Sequence, residues 1–153
     1  MAVVRAEAEK VIPVEAAALY ACLHDYQGAR PRYLPPAYSA YRVEQGGVGT
    51  GTVVGYTLTA GGRVRAVRVA VTEPTPGSVL VESEVGTSLV TTWTLTPRGS
   101  ATAVRIATQW QGAPGIGGFF ERTFAPRGLR RIYDDLLARL ETYATTTPRP
   151  EPR

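Results

Sequence analysis

From residue 38 to residue 110 the chain alternates β-rich runs with turn signals. The runs 38–44, 50–59, 63–73, 78–84, 88–96 and 101–110 are separated by Gly46-Gly47, Gly61-Gly62, Pro76-Gly77, Gly86 and the stretch 97–100. Connections this short join antiparallel neighbours, because a parallel crossover needs about a dozen residues or more. The pattern predicts a six-strand meander. A further run, 3–12, reads as an edge strand ahead of it.

Period-two alternation assigns the faces. Leu89, Trp93 and Leu95 share one side of their run, against Thr92, Thr94 and Thr96. Val104, Ile106, Thr108 and Trp110 oppose Ala103, Arg105, Ala107 and Gln109, and Val54, Tyr56 and Leu58 lie together. Two runs are ambiguous. In 63–73, Arg65, Val67, Val69 and Val71 stand against Val64, Ala66, Arg68 and Ala70; in 38–44, Tyr41 and Val43 stand against Tyr38 and Ala40.

The helical period appears twice. Pro13 reads as the first position of a short helix over 14–26, where a missing N–H costs little. The segment 27–36 holds one Gly and three Pro, so at most one helical turn fits there. The stretch 116–144 carries Phe120, Phe124, Leu129, Ile132, Tyr133, Leu136, Leu137, Leu140 and Tyr143 at three-and-four spacing, with charges on the other side. Such a helix lays its apolar stripe on the sheet. Pro126 and Gly128 predict a break in it, with 119–124 as a lid-like segment and 129–143 as the anchor. Gly112, Gly115, Gly117 and Gly118 read as a hinge, since a dinucleotide loop needs a parallel strand after its helix. The tail 145–153, TTTPRPEPR, is expected to be disordered, leaving a single domain over 1–144.

Composition narrows the partners. With 153 residues, 44% apolar and 20% charged, the chain fits an ordinary globular protein. No apolar run approaches the ~20 residues of a membrane span, and the N-terminus lacks a secretory apolar stretch. The expectation is a cytoplasmic protein without membrane insertion, monomeric or homodimeric. Cys22 is alone, which excludes an intrachain disulfide or a cysteine metal cluster. The net charge of +4 comes almost wholly from Arg, with Lys10 the one lysine. Arg127, Arg130 and Arg131 form the only basic cluster. No aromatics interleave with it, so nucleic acid is not expected.

His24 is the only histidine, and any imidazole acid–base chemistry rests on it. A metal site would need more such ligands, so no metal and no cofactor are expected. Asp25 cannot orient His24, because adjacent helical residues point apart. His24 is the one catalytic candidate, set against a plain helix-terminal role.

The order of strand, short helix, helical turn, six-strand meander and long C-terminal helix resembles the START-like helix-grip superfamily, in particular the polyketide cyclase/dehydrase and lipid-transport (SRPBCC) group. The residues carrying the resemblance are VIPVEAAALYACLHDY, with Pro13, Leu19, Tyr20, Leu23 and Asp25 at the family's positions, and FFERTFAPRGLRRIYDDLLARLETYA. The resemblance implies an α+β fold, with a curved antiparallel sheet of about seven strands around the C-terminal helix and two short helices after strand 1. It also implies an apolar cavity between sheet and helix. The expected lining is Tyr33, Tyr56, Arg65, Val67, Val69, Trp93, Trp110, Phe120, Phe124 and Tyr133. In aromatase/cyclase members an inward arginine sits on the fourth strand; the matching position here is Val71 or Val69. An apolar wall with rim groups such as Arg65, Tyr56, Tyr33 and His24 suits binding better than proton transfer.

Three functions stay open. One is a carrier or sequestering, self-resistance protein for a hydrophobic, aromatic or polyketide-like small molecule. A second is a polyketide cyclase, aromatase or dehydratase that polarises a carbonyl with Tyr and Arg. A third is a protein-interaction module with a filled core. The first two predict a cavity of roughly several hundred Å3 or more.

Overall fold

The computed structural model describes residues 2–60, 62–112 and 126–146. Strand β1 (Ala2–Ile12) is followed by helices α1 (Ala16–His24) and α2 (Arg30–Tyr33). Strands β2 (Tyr38–Gln45), β3 (Val53–Ala60), β4 (Arg63–Thr75), β5 (Val79–Glu84), β6 (Val90–Arg98) and β7 (Ala101–Gly112) follow, and then helix α3 (Pro126–Thr146). The seven strands form one antiparallel sheet in the order β1-β7-β6-β5-β4-β3-β2. The meander closes with β1 laid along β7, from Ala2 opposite Gly112 to Ile12 opposite Thr102. This is the helix-grip architecture, a curved sheet wrapped around the C-terminal helix.

Helix α3 grips the sheet through Leu129, Tyr133, Leu136, Leu137 and Leu140, all buried. Their 3.6-residue period makes one stripe, and the Lys10–Glu141 ion pair at 3.2 Å ties the helix to β1. Pro126 is the first described residue of α3, and the helix runs on without a break through Gly128, where a break was expected. The expected lid 119–124, with Phe120 and Phe124, and the hinge glycines Gly115, Gly117 and Gly118 lie outside the described residues.

Two expected boundaries move. Pro13 does not open α1: the helix begins at Ala16 after Glu15 as N-cap, and the Val14 amide turns back to the Ile12 carbonyl at 2.8 Å. That tight turn holds Pro13 outside the helix. At the other end, α3 runs through Thr145 and Thr146 into the expected tail. The hydroxyls of these residues bond back to the Glu141 and Thr142 carbonyls one turn earlier, as Thr side chains commonly do within a helix. Residues 147–153 lie outside the described residues.

The ambiguous strands resolve through charge and a bulge. On β4, Val67, Val69 and Val71 are buried while Val64, Ala66 and Arg68 face outward. Arg68 donates to Glu44 at 2.6 Å and Arg42 donates to its second oxygen at 3.2 Å, so a charged lattice holds that side in solvent. On β2, Tyr38 and Tyr41 are three apart and would face opposite ways in a regular strand. Between them the register shifts and Ala40 takes φ 53°. That bulge absorbs one residue and turns both rings inward. No described helix is long and apolar enough to cross a membrane.

Candidate functional site

The concave face of the sheet and the buried stripe of α3 enclose a cavity with about 40 Å3 open to water. Val54 and Leu58 of β3, Val67 and Val69 of β4, Trp93 of β6 and Ile106 of β7 form the sheet wall. Leu129, Tyr133 and Leu136 form the helix wall. The volume is an order of magnitude below the several hundred Å3 expected. Large side chains account for this: Trp93 is fully buried, and the rings of Tyr26, Tyr38, Tyr41 and Tyr56 crowd the lining. At one end Leu34, Tyr38, Tyr41 and Tyr56 are only half-buried, which marks the mouth. The Tyr38 and Tyr56 rings meet there 5.1 Å apart, tilted by 57°.

The cavity floor is polar, contrary to the expected apolar wall. Arg30 is 5% exposed and Glu82 8%, and they pair at 3.0 Å. Tyr26 donates its hydroxyl to the same Glu82 oxygen at 2.5 Å. Arg30 Nη2 also donates to the Leu23 carbonyl at 2.7 Å. The guanidinium lies 4.4 Å from the centre of the Tyr26 ring and 5.2 Å from that of Trp93, within reach of cation–π attraction. Two buried donors are left over: Arg30 Nε and Trp93 Nε1 have no hydrogen-bond partner among the described residues.

Local structure explains this placement. The Arg30 amide donates to the Asp25 carbonyl at 3.0 Å, and the Tyr33 hydroxyl donates to the Cys22 carbonyl at 2.9 Å. Both bonds clamp the single turn of α2 against the end of α1, so Arg30 can only point inward. In β5 alternation puts Leu80, Glu82 and Glu84 on the buried side. Opposite Glu82 on β6 is Thr91, whose hydroxyl meets that of Thr108 at 2.6 Å. Thr108 in turn bonds the Tyr133 hydroxyl, giving a hydroxyl chain from sheet to helix.

Electrostatically the floor is balanced, since Arg30 and Glu82 cancel. Burial works against the Arg30 charge, but its neighbours, Tyr33 and Glu82 foremost, outweigh burial and raise its pKa. Burial lifts the phenols of Tyr26, Tyr38 and Tyr56 well above the ordinary tyrosine value, and that of Tyr133 to about 12. The phenols are therefore neutral near pH 7, able to donate and accept hydrogen bonds but not to act as phenolate bases.

Of the residues named from the sequence, Tyr56, Val67, Val69, Trp93 and Tyr133 come together around the cavity. Tyr33 packs behind it, buried and 5.6 Å from the Tyr143 ring. Arg65 shares the inner face but pairs with Glu84 at 2.7 Å beyond the lining. Trp110 is buried further along β7, across from Val4 of β1. His24 lies outside the lining, its ring 5.1 Å from Tyr20 and its Nδ1 3.6 Å from Glu73. Sequence reasoning missed Arg30, Glu82, Tyr26, Thr91 and the inward turn of Tyr38. The parity of Leu80, Glu82 and Glu84 was a readable signal. Nothing in the segment 27–36 marked Arg30 as an inward side chain.

A concave sheet, a gripped helix and an enclosed, aromatic-lined cavity define the helix-grip class of small-molecule-binding folds. The chain belongs to the family described as polyketide cyclase / dehydrase and lipid transport, whose model matches residues 3–145. The solution structure of the KanY protein (ms6282) is 41% identical, with 95% of this chain and 99% of that chain covered and a TM-score of 0.83. At 13% identity the fold is shared with norcoclaurine synthase from Thalictrum flavum, solved with dopamine and hydroxybenzaldehyde; 97% of this chain and 90% of that chain are covered, TM-score 0.74. The ginseng major latex-like protein 151 from Panax ginseng shares it at 10% identity over 95% and 99%, TM-score 0.73. No curated protein is significantly similar in sequence.

Proposed function

We propose that this protein binds a hydrophobic, aromatic or polyketide-like small molecule between the sheet and α3, as a carrier or sequestering protein. The observation that carries the reading is a buried, aromatic-lined cavity whose floor is charge-balanced and still holds unpartnered donors. Buried N–H groups usually have acceptors, and a ligand in the cavity can supply one to Arg30 and Trp93, which line it. The 40 Å3 of free space is too small for a ring system, so entry requires the mouth rings of Tyr38 and Tyr56 to swing aside. Both are half-buried, and such rotations cost little compared with opening a packed core. A pure protein-interaction role fits less well: among the described residues the exposed large apolar ones are valines (Val3, Val11, Val48, Val64 and Val85) dispersed over several elements.

The alternative, a cyclase, aromatase or dehydratase, has one observation in its favour: Arg30, Glu82 and Tyr26 stand within hydrogen-bond reach of one another. Against it, the Glu82 carboxylate is committed to Arg30, and a charge-neutralised acid is a weak base. Native mass spectrometry of the protein from its own host tests the proposal. A co-purifying aromatic small molecule is expected. Only the bare polypeptide mass, unchanged on adding aromatic ligands, would overturn it. Conversion of a linear poly-β-ketone thioester to a cyclised product would move the assignment to the enzyme.

A further inference from the structure

Two facts about the cavity floor bear on what its occupant must look like. Arg30 and Trp93 both line the cavity, at 5% and 0% exposure. Arg30 Nε and Trp93 Nε1 each lack a hydrogen-bond partner among the described residues. Nη2 of the same guanidinium is engaged, by the Leu23 carbonyl and by Glu82. The two donors are close, because the guanidinium carbon is only 5.2 Å from the Trp93 ring centre. Proteins rarely bury such donors without an acceptor, and the cavity is where one can be supplied.

Charge decides which acceptor fits. A carboxylate or phosphate brought to Arg30 would also meet Glu82, 3.0 Å from the guanidinium, in a low-dielectric site where like charges repel strongly. A neutral oxygen meets no such penalty. The surrounding wall of Tyr26, Tyr56, Trp93 and Tyr133 suits a flat ring system on either side of that oxygen.

We infer that the cavity selects neutral aromatic ketones or quinones, with the carbonyl oxygen accepting from Arg30 Nε and Trp93 Nε1. This rests on the ligand-binding reading above and names the chemical class that the site prefers. Trp110, also buried and with an indole N–H that has no partner among the described residues, lies away from the lining and is the internal control.

The test compares 1-tetralone with tetralin, bicyclic molecules that differ by one carbonyl oxygen, and with 1-naphthoate as the anion. Calorimetric titration should show tetralone binding about tenfold tighter than tetralin, as a hydrogen bond from a charged donor allows. Naphthoate should bind more weakly than tetralone. Trp93→Phe, which keeps an aromatic ring and removes the N–H, should narrow the ratio of tetralone to tetralin affinity severalfold. In wild-type protein the Trp93 indole N–H resonance should move downfield with tetralone and not with tetralin, while that of Trp110 stays. Equal affinity for tetralone and tetralin overturns the carbonyl anchor but leaves cavity binding standing. Tighter binding of naphthoate overturns the preference for a neutral group. Binding of none of the three overturns both the inference and the reading it rests on.

Discussion

Replacing Glu82 with Gln removes one charge from the cavity floor and changes little else. The amide has nearly the same shape and can still accept from Tyr26, so the variant isolates the electrostatic part of the Arg30–Glu82 pair. Two magnitudes compete. An exposed ion pair contributes at most about 1 kcal/mol, whereas breaking a buried one by removing a single partner costs about 3–5 kcal/mol, because the remaining charge is left uncompensated. Burial decides between them: Arg30 is 5% and Glu82 8% exposed. The expected loss is therefore about 3–5 kcal/mol, or roughly 6–20 °C in Tm for a domain of this size. Urea unfolding followed by far-UV circular dichroism measures it. The double variant Arg30→Met with Glu82→Leu should recover much of that loss, since no buried charge remains. A loss below about 1 kcal/mol for Glu82→Gln would mean that water reaches the pair, and the description of a closed cavity floor would fail. Additive single and double variants would show that the two residues are not coupled.

The remaining predictions concern titration and the loop beside α1. Folded-state pKa values above the ordinary tyrosine value favour the neutral phenol, so their contribution is intact below pH ~10 and is lost as pH rises toward ~12. Tyr133 alone, raised from 10.0 to about 12, accounts for about 3 kcal/mol by pH 12; tyrosinate absorbance should appear together with loss of near-UV dichroism, and ionisation at pH 10 in an intact fold would contradict it. Gly49 has φ +66°, and a Cβ there would stand 2.4 Å from a Glu73 oxygen, so Gly49→Ala should destabilise by about 1–3 kcal/mol, measured by thermal unfolding; a neutral effect would refute the close packing of this loop. Hydrogen bonding from Tyr20 holds Glu73 below the usual carboxylate range. Its stabilising contribution is therefore present above the unfolded carboxylate pKa and declines as pH falls through the lowered folded value, and Glu73→Gln should flatten that acid limb of the stability profile. His24→Ala should leave ligand affinity unchanged, because His24 stands outside the cavity lining; a severalfold loss would place it in the site.

How much of this was legible in the sequence follows from what each signal encodes. The meander was readable because Gly and Pro punctuate it and because inward residues repeat with period two in β3, β6 and β7. The anchor of α3 was readable because Leu129, Tyr133, Leu136, Leu137 and Leu140 hold one helical face. Alternation fails at a bulge, so period two alone cannot place both Tyr38 and Tyr41 inward; the register shift around Ala40 does. It also carries no information about a one-turn helix, so Arg30 stayed hidden among the charges of the segment 27–36. Arg65 has the right parity and misses the cavity, because it stands near the start of β4 and pairs with Glu84. Parity gives the face of a strand, not the position along it.

The proposed site for an aromatic molecule lies between the sheet and α3. Intermolecular nuclear Overhauser effects between bound 1-tetralone and isotopically labelled protein test it most directly. Contacts from the ligand ring to Tyr56, Trp93 and Tyr133 are expected. Contacts confined to the outer groove lined by Glu7, Arg105 and Arg130 would contradict it.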